Sequence, residues 1–256
     1  MVKSNELINR FFEPIKLDHP ISETDYLNLQ SRIDAVSTLA LTNNISVYIM
    51  DYHNREFLYV SPNPLFLCGH KREKVQKMGY DFFLQVVAPD DFDILLEINK
   101  KGFEYFYSQP IEKRCNLTFS CDFNVFHANK MKMMLHHKLT PFVLTETGKM
   151  WLSLCVVTLS TQKKSGNAII RRFDSPERME YSFTLKKWEK METIKLSARE
   201  NEVLRLCAQG YAIKNIADIL NVRETTVNFH KTNLFNKFDV NNIAEAVFYA
   251  TLNNLI

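Results

Sequence analysis

The sequence predicts an α+β domain followed by an all-α domain of four short helices, and three observations carry that prediction. From Cys115 to Val125 apolar and polar residues alternate without a break, the two-residue period of a strand with one buried face. From Leu196 onward the apolar residues recur at helical spacings, interrupted at Gly210, at residues 221–223 and between residues 237 and 241. The 256 residues, 46% hydrophobic and 24% charged, suffice for two ordinary folded domains.

The elements follow in order. Tyr26, Leu29, Ile33, Val36 and Ala40 recur every three or four residues, which predicts a helix over residues 20–41. ISVYIMDY and REFLYVSP read as two strands joined at His53-Asn54-Arg55. A helix-rich stretch runs to about residue 107, its longest helix opening at Pro89-Asp90-Asp91. Met131, Met133, Leu135, His137 and Leu139 continue the alternation on a neighbouring strand, and MWLSLCVVTLS is apolar on both faces and therefore central. Two strands, a helical middle and three long antiparallel strands predict one sheet with helices on one side. Residues 168–173 and 179–186 form a further hairpin around Asp174-Ser175-Pro176, and Trp188–Lys195 leads on as a short helix or coil. The domain divisions are an N-terminal helical segment (1–43), the sheet domain (44–162), a basic connector with a β-hairpin (163–195) and the helical domain (196–256).

Composition excludes several classes. Six Gly and eight Pro rule out collagen-like repeats, and no apolar run reaches the roughly 18 residues of a membrane span. MVKSNELINRFF lacks a secretory pattern, and five cysteines without a CxxC pair fit reduced thiols, so a cytoplasmic protein is expected. Cys115 and Cys121 are expected inward on one strand, too far apart for a disulfide. No Gly-rich phosphate loop, serine elbow, HExxH or deaminase signature occurs, so no enzyme is expected. The net charge is +3, but residues 163–199 carry ten basic and five acidic side chains, so the surplus is local. That stretch reads either as a solvated hairpin or as a second phosphate-contacting surface.

In the last domain Ser197 and Glu200 form a capping box, and Gly210 closes the first helix. Ile213–Leu220 and Glu224–Lys237 are joined by Asn221-Val222-Arg223, with Ala217 small at the crossing, which is a helix-turn-helix; a fourth helix spans residues 241–254. Stepping about 100° per residue puts Val227, Leu234 and Phe238 inward. Thr225, Phe229, Thr232 and Asn236 then face outward with Asn228 at the edge, suited to base edges and thymine methyl groups. Lys231 and Lys237 flank them, where phosphates would lie.

At Leu196, Ser197, Arg199, Glu200, Gly210, Ile216, Ala217, Thr226, Val227, His230 and Lys237 this segment resembles the LuxR-type DNA-binding domain. The resemblance implies a third helix in the major groove and a fourth that supports dimerisation through Ile243, Val247 and Ala250. The expected DNA-contacting set is Thr225, Thr226, Asn228, Phe229, His230, Lys231, Thr232, Asn236 and Lys237. Two departures stand out: the family's capping Ser is Arg223 here, and the basic residue after Thr-Val is Asn228.

The order of elements over residues 44–162, with SPNPLFLCGHKREKV and Pro89-Asp90-Asp91, resembles a PAS domain. This implies a cup for a small-molecule ligand or a dimerising surface. Its cofactor is not specified: the Asn-Cys-Arg motif of flavin-binding light sensors is absent at Cys68, and His70, His127, His136 and His137 are unpaired candidates for haem. Phe119, Phe123, Phe142 and Trp151 are expected in one core. The combined expectation is a one-component transcription regulator that binds double-stranded DNA as a homodimer, with RNA polymerase as a further partner and no membrane. A signalling adaptor whose helices bind protein, and a sigma-factor region 4-like protein, stay open as alternatives.

Overall fold

The computed structural model describes residues 2–15, 21–191, 194–253 and 255–256. They form two compact units, divided after Met191.

The first unit is built on one antiparallel sheet of eight strands. These are β1 (Ser46–Asp51), β2 (Glu56–Val60), β3 (Leu117–Phe126), β4 (Lys132–Leu144), β5 (Met150–Leu159), β6 (Gly166–Arg172), β7 (Ser175–Ser182) and β8 (Lys187–Met191). Their spatial order is β2-β1-β5-β4-β3-β6-β7-β8. Five helices lie between β2 and β3, the longest of twenty residues. The strand apolar on both faces, β5, lies between β1 and β4. Pro141 has no N–H for the ladder, and the β4–β5 register slips between Pro141 and Val143, as proline in a strand interior demands.

The helices cover both faces of the sheet, not one. On one face α1 (Val2–Phe12), α4 (Pro64–Leu67), α5 (Arg72–Met78), α6 (Asp81–Val86) and α7 (Pro89–Ser108) bury a core with Tyr48, Met50, Phe123 and Cys155. On the other, α2 (Glu23–Leu27) and α3 (Gln30–Thr42) bring Tyr26, Leu29, Ile33 and Val36 onto Ile49, Trp151 and Leu152. Successive β1 side chains therefore all find cover, and all six residues are buried. The helix expected over 20–41 is these two helices, its first residue lying outside the described ones. Phe142 and Trp151 belong to the second core, away from Phe119 and Phe123.

Two buried carboxylates pin these layers. Asp51 accepts the Tyr26 hydroxyl at 2.7 Å and the His53 N–H at 2.8 Å, which fixes α2 to the end of β1. Asp91, in the first turn of α7, accepts the backbone and side-chain N–H groups of Asn124 and the Ser165 hydroxyl. Cys121 points into the core, but Cys115 is exposed: it caps α8 (Ile111–Arg114) before β3 begins, and does not share the inward strand face.

The stretch 163–195 carries three strands, β6 to β8. Within Trp188–Lys195, expected as a short helix or coil, residues 188–191 instead continue a strand that pairs with β7 from Arg178 to Tyr181. Trp188 anchors this strand by donating its indole N–H to the Lys101 carbonyl on α7 at 3.1 Å.

The second unit has four helices: α9 (Ala198–Ala208), α10 (Ile213–Leu220), α11 (Glu224–Phe238) and α12 (Ile243–Leu252). Val203, Leu204, Ile216, Ala217, Val227, Leu234 and Phe238 share its core with α12. Gly210 sits at φ +84°, the left-handed conformation a helix-closing glycine supplies. Ala250 is fully buried in this core, so it offers nothing to a partner.

Removing the Asp91 carboxylate strands the Asn124 donors and the Ser165 hydroxyl. Asp91→Ala is expected to lower the unfolding free energy by roughly 2–3 kcal/mol in urea denaturation, and Asp91→Asn, which keeps an acceptor, by less.

Candidate nucleic-acid interface

The three-residue turn before α11 is set locally. Asn221 closes α10 in the left-handed conformation at φ 52°, a role its short polar side chain tolerates. The Val222 N–H then bonds to the Ala217 carbonyl at 2.9 Å, and its side chain packs on the core. Arg223 stands at the N-cap of α11 without a side-chain cap bond. Glu224, the acidic residue of that first turn, opposes the helix dipole's positive end.

On α11 the inward residues Val227, Leu234 and Phe238 are buried. Thr225, Asn228, Phe229, Thr232 and Asn236 are exposed together along one stripe. Phe229 keeps 61% of its surface in solvent, a cost that a lone solvated helix face gives no reason to bear. The Thr232 hydroxyl donates to the Asn228 carbonyl at 3.1 Å, so its hydrogen is used within the helix. Thr226 and Lys231 are half-buried beside the stripe. His230 is half-buried, stacks edge-on against Phe229 at 5.6 Å, and its buried Nδ1 has no partner among the described residues.

Lys237, expected beside a phosphate, makes an ion pair and a hydrogen bond within the helical unit. Its ammonium lies 2.6 Å from the Glu200 carboxylate and 3.0 Å from the Lys195 carbonyl. Burial raises the Glu200 carboxyl's affinity for a proton, but the Lys237 and Ser197 hydrogen bonds outweigh it and hold the pKa below the usual glutamate range. The pair ties the start of α9 to the last turn of α11. Sequence reasoning assigned Glu200 only its capping-box bond, because a contact across 37 positions leaves no local period. In its place Lys214 and Arg223 are exposed and in no ion pair among the described residues, and only Arg223 had drawn notice, as a missing cap.

Among the described residues, six of the ten basic residues of 163–199 form ion pairs, four with acids of the same stretch and two with Glu97 and Glu202 outside it. Arg172 forks onto Asp174 and Lys186 onto Glu97, while Lys190 meets Glu177 and Lys187 meets Glu189. These pairs are what a solvated hairpin uses to offset its charge.

The sheet unit encloses a second candidate site, a cavity of about 100 Å³. It is lined by Tyr48, Tyr52, Phe83, Phe103, Phe119 and Trp188 among others, and by His137. His137 Nε2 meets the Tyr48 hydroxyl, and burial, with His136 second, drives its ring pKa down to about 3. His136 turns away to Asp122 at 3.0 Å, and His70 stacks on Phe82 outside the cavity lining. Burial alone lifts the Cys68 thiol to about 12, the opposite of a reactive cysteine. Among the described residues no group of three His, Cys, Asp or Glu could hold a metal, and no helix is long and apolar enough to cross a membrane.

Residues 195–250 match the family described as bacterial regulatory proteins, luxR family. Over 61 residues, 24% of this chain, the sequence is 46% identical to the HTH-type quorum-sensing regulator RhlR of Pseudomonas aeruginosa, covering 25% of that protein. The chain thus aligns with about a quarter of the length of the curated relatives it matches. A structure of the Vibrio cholerae VqmA dimer, described as a LuxR-type receptor, aligns over 88% of this chain and 87% of its own at 16% identity and a TM-score of 0.33. The N-terminal domain of a diguanylate cyclase with PAS/PAC sensor from Marinobacter aquaeolei covers 44% of this chain and 93% of its own at 10% identity and a TM-score of 0.34.

Two outcomes test this geometry. Lys237→Met leaves the Glu200 carboxylate buried without its cation, and should destabilise the helical unit by roughly 1–3 kcal/mol in thermal or urea unfolding. His137 has an ordinary pKa of 6.5 when unfolded and about 3 when folded, so protonation favours the unfolded chain. Stability should fall as pH drops from 6.5 toward 3, and His137→Gln should flatten that part of a melting-temperature curve.

Proposed function

We propose, from the LuxR-type helix-turn-helix domain formed by residues 195–250, that this chain is a one-component, sequence-specific DNA-binding transcription regulator. The observation that carries the reading is the exposed stripe Thr225, Asn228, Phe229, Thr232 and Asn236 on α11. Side chains of these types hydrogen-bond to base edges and contact thymine methyl groups when a helix enters the major groove. Lys214, Arg223 and Lys231 supply the phosphate contacts, and Thr226 and His230 support the stripe from its half-buried side. Asn228 in place of the family's basic residue exchanges a charge contact for an amide that pairs with adenine.

The protein acts as a cytoplasmic homodimer, with two α11 helices about one turn of DNA apart. The exposed Leu27, Leu39 and Leu41 on α2 and α3 support a partner surface there. The sheet unit takes a small-molecule signal in its cavity, RNA polymerase is the downstream partner, and the chain itself catalyses nothing.

Salt and substitution test the reading together. Three unpaired cations per protomer predict roughly six phosphate contacts per dimer and a log–log salt slope of about −5. Phe229→Ala and Thr232→Ala should change which duplexes are preferred, whereas Lys231→Ala should weaken all duplexes alike and reduce the slope by about 1. Selection of duplexes from a random pool, followed by fluorescence anisotropy titrations, reads both. Retention of no duplex at about 50 mM salt would favour the adaptor reading, in which the same helices bind protein.

A further inference from the structure

The exposed stripe of α11 can satisfy only some base edges. Thr232 donates its hydroxyl hydrogen to the Asn228 carbonyl at 3.1 Å, so toward a base its oxygen only accepts. In the major groove guanine and thymine present no donor, whereas adenine and cytosine each present an amino group. The Asn228 side-chain amide makes no hydrogen bond among the described residues. An amide satisfies both of its ends on adenine, which offers N7 as acceptor and N6–H as donor. On guanine it faces two acceptors, and its own oxygen stays unpaired. None of the stripe residues Thr225, Asn228, Phe229, Thr232 and Asn236 is Lys or Arg, the side chains that take guanine O6 and N7.

Phe229 supplies the apolar part of the edge. Its exposed ring stands edge-on to His230 at 5.6 Å, and Thr225 and Thr232 set methyl groups one turn to either side. Thymine carries the one methyl group of the four bases in this groove, so an A·T pair alone offers an amino donor and a methyl together. Thr225 and Thr232 are about 10 Å apart along the helix at about 1.5 Å per residue, the length of about three base-pair steps of about 3.4 Å.

We propose that α11 reads an uninterrupted core of about three A·T pairs in each half-site, without a guanine contact. Asn228 pairs with adenine N7 and N6, Phe229 covers the methyl of a neighbouring thymine, and Thr232 accepts from an adenine amino group. The proposal rests on the DNA-binding reading given above and specifies the bases that reading leaves open. It also separates this chain from relatives with a basic residue at the Asn228 position, since such a side chain suits guanine.

Duplexes are selected from a random pool with the unmodified full chain at about 50 mM salt, and the preferred site is rebuilt with base analogues for anisotropy titrations. The selected half-sites should share a core of A·T pairs. Uracil in place of thymine removes a single methyl, and at one core position of one half-site this should weaken binding about fourfold. Phe229→Ala should bind the thymine and uracil duplexes alike, and Phe229→Leu should keep part of the difference. Deazaadenine lacking the N7 acceptor should weaken the unmodified chain about tenfold at one position and leave Asn228→Ala unaffected. Thr232→Val, which keeps the methyl and loses the acceptor, should relax the choice of base at a further position. Asn228→Lys should exchange the preferred adenine for guanine. A core that contains G·C pairs overturns the proposal, as does equal binding of the uracil duplex at every core position. A deazaadenine loss absent from the unmodified chain, or persisting in Asn228→Ala, overturns the Asn228 contact. Selection of a G·C core leaves the DNA-binding reading standing, whereas retention of no duplex overturns both.

Discussion

A buried carboxylate survives in a folded chain only where donors converge on it, and four such groups organise this protein. Asp51 gathers the Tyr26 hydroxyl and the turn after β1, and so holds α2 and α3 on the second face of the sheet. Asp91 joins the start of α7 to β3 and to the segment before β6. Asp122 orients His136 outward, and its neighbour His137 is left pointing into the cavity. Glu200 joins α9 to the end of α11 through Lys237. In each case at least one hydrogen bond comes from a residue distant in sequence, so satisfying one acid positions a whole element.

What was legible in the sequence was what depends on neighbours along the chain. The alternation of β3, the Ser197–Glu200 capping box, the left-handed Gly210 and the α10–α11 turn are local, and each lies where its residue types place it. The inward and outward faces of α11 follow from the helical repeat alone. Contacts between distant segments left no such trace. Lys237 has the spacing of a phosphate contact and the location of an ion-pair partner. Residues 187–191, rich in charge, have little apolar alternation, yet β7 offers them an edge and Trp188 an anchor on α7. The cover on both faces of β1 was equally invisible, because six buried residues in a row look the same whichever helices bury them.

The charge distribution changes what kind of recognition the helical unit suits. Lys237 is paired with Glu200, and residues 200–256 carry five basic and six acidic side chains, so the helical unit itself holds little long-range positive potential. Non-specific affinity arises almost wholly from released counterions, whereas discrimination arises from base edges. A reading head with few free cations and an exposed Phe229 therefore lowers the first contribution more than the second. On the proposed reading, the ratio of specific to non-specific binding rises at the expense of absolute affinity, which two such heads on one site would restore.

The cavity of the sheet unit bears on regulation through linkage. A compound that fills it binds the folded unit alone and stabilises it by mass action. That stabilisation becomes regulation only if the filled and empty forms differ in affinity for DNA, because a ligand equally at home in two states shifts neither. Trp188 is the lining residue placed to make that difference: it touches the cavity, anchors β8 to α7, and stands three residues before the end of the sheet unit. A ligand that moves its ring must disturb either the Lys101 hydrogen bond or the pairing of β8 with β7. Both lie at the C-terminal end of the sheet unit.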